Sequence, residues 1–404
     1  MAQPKPQPVN ILRGHRSQIH TAAFIRNNDR LATGDADGYV VLWDLATMRP
    51  KTAWRAHTGS ILRIVEWGED RLITHGRDHR LVVWKLARED EERLSSVAPI
   101  ELSGAEPPQP WVVHILEVNT MNFCAFAACP SSTSEDDYNP SLNAADAILV
   151  AVPNALASEA IDIYQLPSQT RLHTLKPEGK SGMAMCLSIF HKNGALLLAT
   201  AFENGLLSVY QHRAEAQQWE SIYHSQAHSQ PILSIAADPR CDYLFTSAAD
   251  ATIAKHAVMP VPKQGALGAS MQDPIKSVNT KHAGQQSLTI RSDGKICASA
   301  GWDANIRVYS AKSLKELAVL QWHQVGVYAV AFAAVHDTEE DGGNEVKENE
   351  PDDADAPSMH SLAVIPTAEK RGTAVADRRV RRTKATHWLA AGAKDGKLSL
   401  WSIY

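Results

Sequence analysis

The feature that most constrains this chain is a thirteen-residue frame that recurs along it. Leu31-Ala-Thr-Gly-Asp-Ala-Asp-Gly-Tyr-Val-Val-Leu-Trp43 aligns without gaps on Leu72-Ile-Thr-His-Gly-Arg-Asp-His-Arg-Leu-Val-Val-Trp84. The frame returns at Leu198–Tyr210, Leu244–His256, Cys297–Tyr309 and Leu389–Trp401, and a weaker copy ends at Tyr164. Its third position carries Thr or Ser, its seventh Asp or Asn, and its thirteenth usually an aromatic. Self-similarity of this kind means that one small unit is built repeatedly and stacked on its neighbours.

Each frame reads as a β-hairpin. Runs of β-formers such as Tyr39-Val-Val-Leu-Trp43 follow turn pairs such as Asp37-Gly38, Asn204-Gly205 and Asp395-Gly396. Outside short charged connectors such as Lys85 to Arg93, no strong 3.6-residue apolar period is expected to build long helices. The thirteenth positions are 41 residues apart between Trp43 and Trp84, and 46 between Tyr164 and Tyr210 and again between Tyr210 and His256. That period suits four strands per unit, and seven units predict an all-β, seven-bladed propeller over residues 8–404 after a flexible tail at 1–7. Two intervals are too long: Trp84 to Tyr164 is 80 residues and Tyr309 to Trp401 is 92. They are expected to hold disordered insertions in the third and seventh blades, an acidic loop at 130–143 and an acidic/basic segment at 336–384.

Gly14-His15 followed by Trp43-Asp44 resembles the Gly-His and Trp-Asp signature of WD40 repeats. The resemblance implies a hydrogen-bonded His, Ser/Thr, Asp and Trp tetrad inside each blade. By position these are His15, Thr33, Asp37 and Trp43 in the first unit, and His57, Thr74, Asp78 and Trp84 in the second. The fifth unit has His228, Thr246 and Asp250 but ends in His256, and the sixth has His282, Ser299 and Asp303 but ends in Tyr309. The seventh has His323, Asp395 and Trp401, with Ala391 where a hydroxyl belongs. Units three and four lack the leading His and should be the most irregular. In this family the N-terminus supplies the outermost strand of the last blade, so Val9–Leu12 should close the ring.

Composition removes several function classes. Forty basic residues against 45 acidic give a net charge of −5, which does not suit a chain that coats nucleic acid. Five scattered cysteines without a Cys-x-x-Cys pair argue against a disulfide framework or zinc site and for a reducing compartment. No run is long and apolar enough to span a bilayer as a helix, and no signal-peptide core opens the chain. The imbalance is concentrated: Asp337–Pro357 carries ten acids and one Lys, and Glu369–Lys384 seven bases and two acids. The basic run Arg378–Lys384 reads either as a localisation or nucleic-acid patch or as a solvated loop end beside the acidic block. Ser132 and Ser134 each have an acid three residues on, as an acidophilic kinase would require, in what otherwise reads as an acidic surface loop.

The Thr/Ser, His and Asp sets resemble nucleophilic triads on paper. Because they recur blade after blade beside an aromatic, they read as scaffold, and neither catalysis, cofactor nor metal is expected. A protein-interaction scaffold is the leading expectation, with binding through Arg16, His20, Thr58, Ser60, Ser229 and Trp302 on one face. A cullin-4 substrate receptor is disfavoured because Trp43-Asp-Leu-Ala46 and Trp84-Lys-Leu-Ala87 lack the Arg of that box. A G-protein β-subunit would need a long N-terminal helix. The opening Asn10-Ile-Leu-Arg-Gly-His15, the interrupted blades and the ending Gly392-Ala-Lys-Asp-Gly-Lys-Leu-Ser-Leu-Trp401 are similar to the fungal ASTRA-associated WD-repeat family. That resemblance implies a non-catalytic nuclear subunit, possible in the cytoplasm too. Implied partners are a phosphatidylinositol-3-kinase-related protein, RuvB-like ATPases and Tel/Tti adaptors, with no direct nucleic acid, no membrane and a monomeric propeller. The implied roles are chromatin remodelling and maturation of kinase-related proteins.

Overall fold

Seven four-stranded antiparallel sheets form a closed ring in the computed structural model of the protein. The structure describes residues 6–99, 107–119, 123–132, 142–177, 179–259, 271–336 and 368–403, the side chains of 144, 368–374 and 376 excepted. The inner strands, in blade order, are Ile19–Ile25, Ile61–Trp67, Ala127–Pro130, Ala184–Lys192, Ile232–Ala237, Gln285–Ile290 and Val327–Phe332. Each frame found in the sequence forms the second and third strands of its blade. In blade one these are Arg30–Asp35 and Tyr39–Asp44, with Leu31 opposite Trp43.

The ring is held by seven apolar clusters, each lying between two adjacent blades. Between blades seven and one, Leu12, Ile19, Trp43, Trp388 and Leu398 pack together; between one and two, Ile25, Trp54, Ile61 and Trp84 do so. Both faces of most strands are therefore buried, which is why runs such as Val40-Val-Leu-Trp43 are apolar throughout and do not alternate. Trp54 and Trp84 meet edge to face at 6.1 Å.

The N-terminal strand Asn10–Arg13 pairs antiparallel with Lys397–Ser402, Leu12 lying opposite Leu398. It completes blade seven as its outermost strand and buries Leu12. A free edge would otherwise remain at the point where the ring closes.

The extra length between Trp84 and Tyr164 is divided between two blades. Part lies in blade two, in the connection from Arg80–Lys85 to its outermost strand Trp111–Glu117. This connection runs along the edge of blade one, where the Ser95 carbonyl accepts the Ala53 N–H at 2.8 Å. The rest precedes the second strand of blade three, Ile148–Pro153; residues 133–141, with Ser134 among them, lie outside the described residues, as do residues 1–5 of the expected tail.

The seventh-blade insertion requires a correction. The acidic block at 337–357 lies outside the described residues, but the basic run does not form a loop: Ala368–Ala385 is an α-helix. Ala, Glu, Lys and Arg are strong helix formers, and Arg382 and Lys384 in the last turn complement the helix dipole. The helix is docked at its C-terminal end. Thr383 donates to the Leu45 carbonyl at 3.4 Å, the Trp388 indole N–H donates to the Thr383 carbonyl at 2.9 Å, and Lys384 pairs with Asp29 at 3.2 Å. The sequence pattern hid it because its apolar positions are too few to give a 3.6-residue stripe.

Candidate functional site

The polar residues singled out from sequence fall into two groups: relays buried in the blades, and side chains around the mouth of the central channel. In blade two the relay is as expected. Trp84 Nε1–H donates to Thr74 Oγ1 at 2.8 Å, the Thr74 hydroxyl meets His57 Nε2 at 2.7 Å, and His57 Nδ1 meets Asp78 at 2.8 Å. The carboxylate fixes the tautomer, so His57 donates from Nδ1 and accepts at Nε2. Asp78 is largely buried, yet the hydrogen bonds from His57 and the Thr58 N–H outweigh desolvation and hold its pKa down at about 2.

Blade one uses Asp35 where the alignment indicated Asp37. His15 meets Thr33 at 2.7 Å and Asp35 at 2.8 Å, and Trp43 donates to Thr33 at 2.8 Å. Asp37 is exposed and only donates its backbone N–H to Asp35. Two acids flank this turn, and the one at the end of the strand is the one buried beside the imidazole. Gly14 is required here, because a Cβ would lie 2.6 Å from the Trp43 ring.

Blade five extends its relay into blade four. His228 meets Thr246 at 2.8 Å and Asp250 at 3.2 Å, and Thr246 meets His256 at 2.9 Å. The far nitrogen of His256 then meets the Tyr223 hydroxyl at 2.9 Å. His256 thus stands where Trp would, and, unlike Trp, accepts a further bond.

Blades six and seven differ from the expectation. His282 is half-exposed, 3.5 Å from Asp303, and does not reach Ser299. Gln285 takes its place, accepting from the Ser299 hydroxyl at 2.8 Å, while Asp303 is held by Arg307. Tyr309 is buried in the cluster between blades five and six. In blade seven, Asp395 pairs with Lys397 at 2.6 Å and does not bond His323. The hydroxyl missing at Ala391 is supplied by Ser399, its cross-strand neighbour, which meets His323 and Trp401 at 2.8 Å each. Moving the hydroxyl one strand over leaves its position in space nearly unchanged, which a search confined to the third frame position misses.

Blades three and four hold other polar sets. In blade three, Asp162 accepts from Asn154 at 2.8 Å and Thr174 at 2.6 Å. In blade four, His224 lies between Ser208 at 2.8 Å and Ser221 at 2.6 Å. Among the described residues, no group of three or more His, Cys, Asp or Glu is arranged to hold a metal.

Burial keeps several histidines neutral. Desolvation pulls His75 and His256 down to about 3 and His323 to about 4. A histidine whose folded pKa lies below its unfolded value near 6.5 leaves the folded state binding fewer protons. The stability this gives is complete above pH 6.5 and is lost as pH falls toward 4, on the order of 1–2 kcal/mol per histidine by pH 5. Urea midpoints should therefore drop between pH 7.5 and 5, before most carboxylates titrate. A midpoint that is level or rises over that interval would contradict neutral buried imidazoles.

The channel mouth is built by a repeated backbone device. Six inner strands carry a β-bulge at their second residue, and the pairing register shifts there. The bulged residues are His20, Leu62, Met185, Leu233, Gln286 and Tyr328, and all six line a central cavity of about 580 Å³. A bulge frees one residue from the ladder and re-aims its side chain. Here it turns that side chain to the mouth six times over.

Of the six candidates from sequence, the structure brings two together. His20 stacks on Tyr328 with ring centroids 5.9 Å apart, and Gly326, two residues before Tyr328, packs on the Trp302 backbone. Trp302 is 47% exposed, donates its indole N–H to Gln286 at 2.8 Å and lies over Gly284, where φ is +81° and any Cβ would strike the ring. Phe123, 56% exposed beneath the Arg77 guanidinium at 4.0 Å, adds an apolar surface that also walls the cavity. Arg16, Thr58 and Ser229 are exposed; the backbone N–H groups of Thr58 and Ser229 bind the relay carboxylates, and Ser60 donates to the Ala36 carbonyl across blades. Sequence reasoning missed Tyr328, Gln286 and Phe123. For the first two the signal was present, because each occupies the inner-strand position of His20.

Comparison with known proteins agrees with this architecture. The WD40 family, described as "WD domain, G-beta repeat", matches residues 6–44, 219–254 and 274–310. "ASTRA-associated protein 1" of Verticillium alfalfae is 48% identical over 99% of this chain and 93% of its own length. The protein of the same name from Pyricularia oryzae is 39% identical over 100% of this chain and 98% of its own, and that from Schizosaccharomyces pombe 35% identical over 81% and 93%.

Proposed function

This chain belongs to the ASTRA-associated protein 1 family of WD40-repeat proteins, and on that basis we propose that it is a non-catalytic scaffold subunit of the ASTRA assembly. The observation that carries this reading is similarity along essentially the whole chain to proteins bearing that name. It is supported by where the polar side chains go: the Ser/Thr, His and Asp sets are internal relays, and two exposed aromatics, Trp302 and Phe123, stand at the channel mouth. The bulge-borne His20 and Tyr328, with Trp302 beside them, form the contact surface of this scaffold. Its partners are a phosphatidylinositol-3-kinase-related protein, RuvB-like ATPases and Tel/Tti adaptors. Its roles are chromatin remodelling and maturation of kinase-related proteins. Nuclear residence is part of this reading, and the exposed Arg378, Arg379, Arg381 and Arg382 on the C-terminal helix suit a localisation signal.

The test is affinity capture of the full chain from native extract. RuvB-like ATPases and Tel/Tti adaptors should be recovered; cullin-4 components or a G-protein γ-subunit in their place would refute the assignment. Trp302→Ala should reduce recovery about tenfold or more, as loss of an interface aromatic does. Its melting temperature should fall by no more than about 2 °C, because the indole is half-exposed and has one hydrogen bond. Equal loss of folding and of capture would make Trp302 structural.

A further inference from the structure

Beneath the ring of bulged residues, the next residue of each strand forms a second tier: Thr21, Arg63, Cys186, Ser234, Ser287 and Ala329. All six wall the central cavity, and Arg63 is the one charged side chain in the tier. It also walls a second void of about 290 Å³ lower in the channel, where it is again the one charged lining residue. Arg63 therefore stands where the two voids meet.

Its charge is poorly answered. Nη1 donates to the Phe126 carbonyl at 3.1 Å, and the guanidinium lies 5.9 Å from the Phe126 ring centre. Among the described residues, no carboxylate comes within ion-pair distance. The cavity's carboxylate, Glu66, accepts instead from the Arg26 N–H and from Asn143. His20 above is held toward its neutral form by burial. Arg63 is accessible to channel solvent, while the walls around it withdraw bulk hydration and lower its pKa. A guanidinium has five donors in a planar fork that matches an oxyanion, and among the described residues the Phe126 carbonyl is the one acceptor that the Arg63 side chain meets.

We propose that Arg63 is the anchor of an anion-binding site in the central channel, specific for a small ligand bearing a single oxyanion group, phosphate or carboxylate. One cation, with the Ser287 and Thr289 hydroxyls on the wall of the same cavity, balances one such group. Nucleic acid and polyphosphates need several cations, and the tier has no second one. The site is independent of the assembly to which the propeller belongs.

The experiment titrates inorganic phosphate and, separately, acetate into the full chain at constant ionic strength set by chloride. Thermal melting is followed, with 31P line width for phosphate. A saturable rise in melting temperature at millimolar anion is expected, with 31P broadening that acetate reverses if carboxylates share the site. A response to phosphate alone would assign the site to phosphate, and one to acetate alone to carboxylates. Arg63→Gln should abolish saturation, whereas Arg49→Gln, on the exposed start of the outermost strand of blade one, should leave it unchanged. Should Arg63→Gln not fold, Arg63→Lys keeps the charge but loses the fork, and binding should weaken about tenfold. A response that does not saturate, or that is the same in the folded Arg63 variants as in the wild type, overturns the proposal.

Discussion

Deleting residues 1–13 should leave a chain that no longer melts as one cooperative unit near the wild-type temperature. The strand Asn10–Arg13 makes four register pairs with Lys397–Leu400 and buries Leu12 against Ile19, Trp43 and Leu398. A few hydrogen bonds at about 1 kcal/mol each and one leucine at about 2–3 kcal/mol give roughly 5–6 kcal/mol. That is comparable to the entire margin of a typical folded protein, about 5–15 kcal/mol. The loss also acts where it is least tolerated: it uncovers the edge of the last sheet, so blades seven and one can separate. Differential scanning calorimetry of the truncated chain would read this directly. A transition within about 2 °C of the full chain would mean that the ring does not depend on its N-terminal closure.

Thr33→Val should cost about 2–4 kcal/mol in urea unfolding, although it changes almost no volume. The hydroxyl stands between Trp43 Nε1 and His15 Nε2, so its removal strands two buried polar atoms at about 1–3 kcal/mol each. Two further substitutions separate the alignment from the structure. Asp35→Ala should destabilise comparably, since it removes the partner of buried His15, whereas Asp37→Ala should change stability by less than about 0.5 kcal/mol. Equal effects at 35 and 37 would return the relay to the residue that the repeat alignment chose.

Most of the architecture was legible in the sequence because it is written in local, repeated terms. The thirteen-residue frame specifies a hairpin, its period specifies the blade, and Val9–Leu12 before Gly14-His15 signals the closing strand. The relays were legible where all four members sit in frame, as in His57, Thr74, Asp78 and Trp84. They were misread where a partner could come from elsewhere: Asp35 two residues earlier, Ser399 across the strand from Ala391, Gln285 in place of His282, and Tyr223 from the next blade. A hydrogen bond requires only an atom at the right point in space, and several sequence positions can deliver it.

The candidate site followed the same division. His20 and Trp302 were visible as unusual residues near turns, but nothing in their spacing joined them. They share one rim because bulges on successive inner strands turn Gln286, Tyr328 and His20 toward it, Trp302 bonding Gln286 and His20 stacking on Tyr328. The helix Ala368–Ala385 was concealed for a different reason: its apolar positions are too few to form a stripe, and the polar contacts that dock it, Thr383 on the Leu45 carbonyl and Lys384 on Asp29, join residues far apart in the chain.

By itself the sequence determined the number of blades and the strand content, since both depend on patterns within a few residues or on their period, while the closing strand was read from the resemblance to WD40 repeats. The tertiary structure alone decided which acid completes a relay, which side chains share the mouth, and that Arg63 lines the channel without a carboxylate partner among the described residues. Those outcomes depend on distances between residues far apart in the chain, and such distances exist only after the seven sheets have closed on one another.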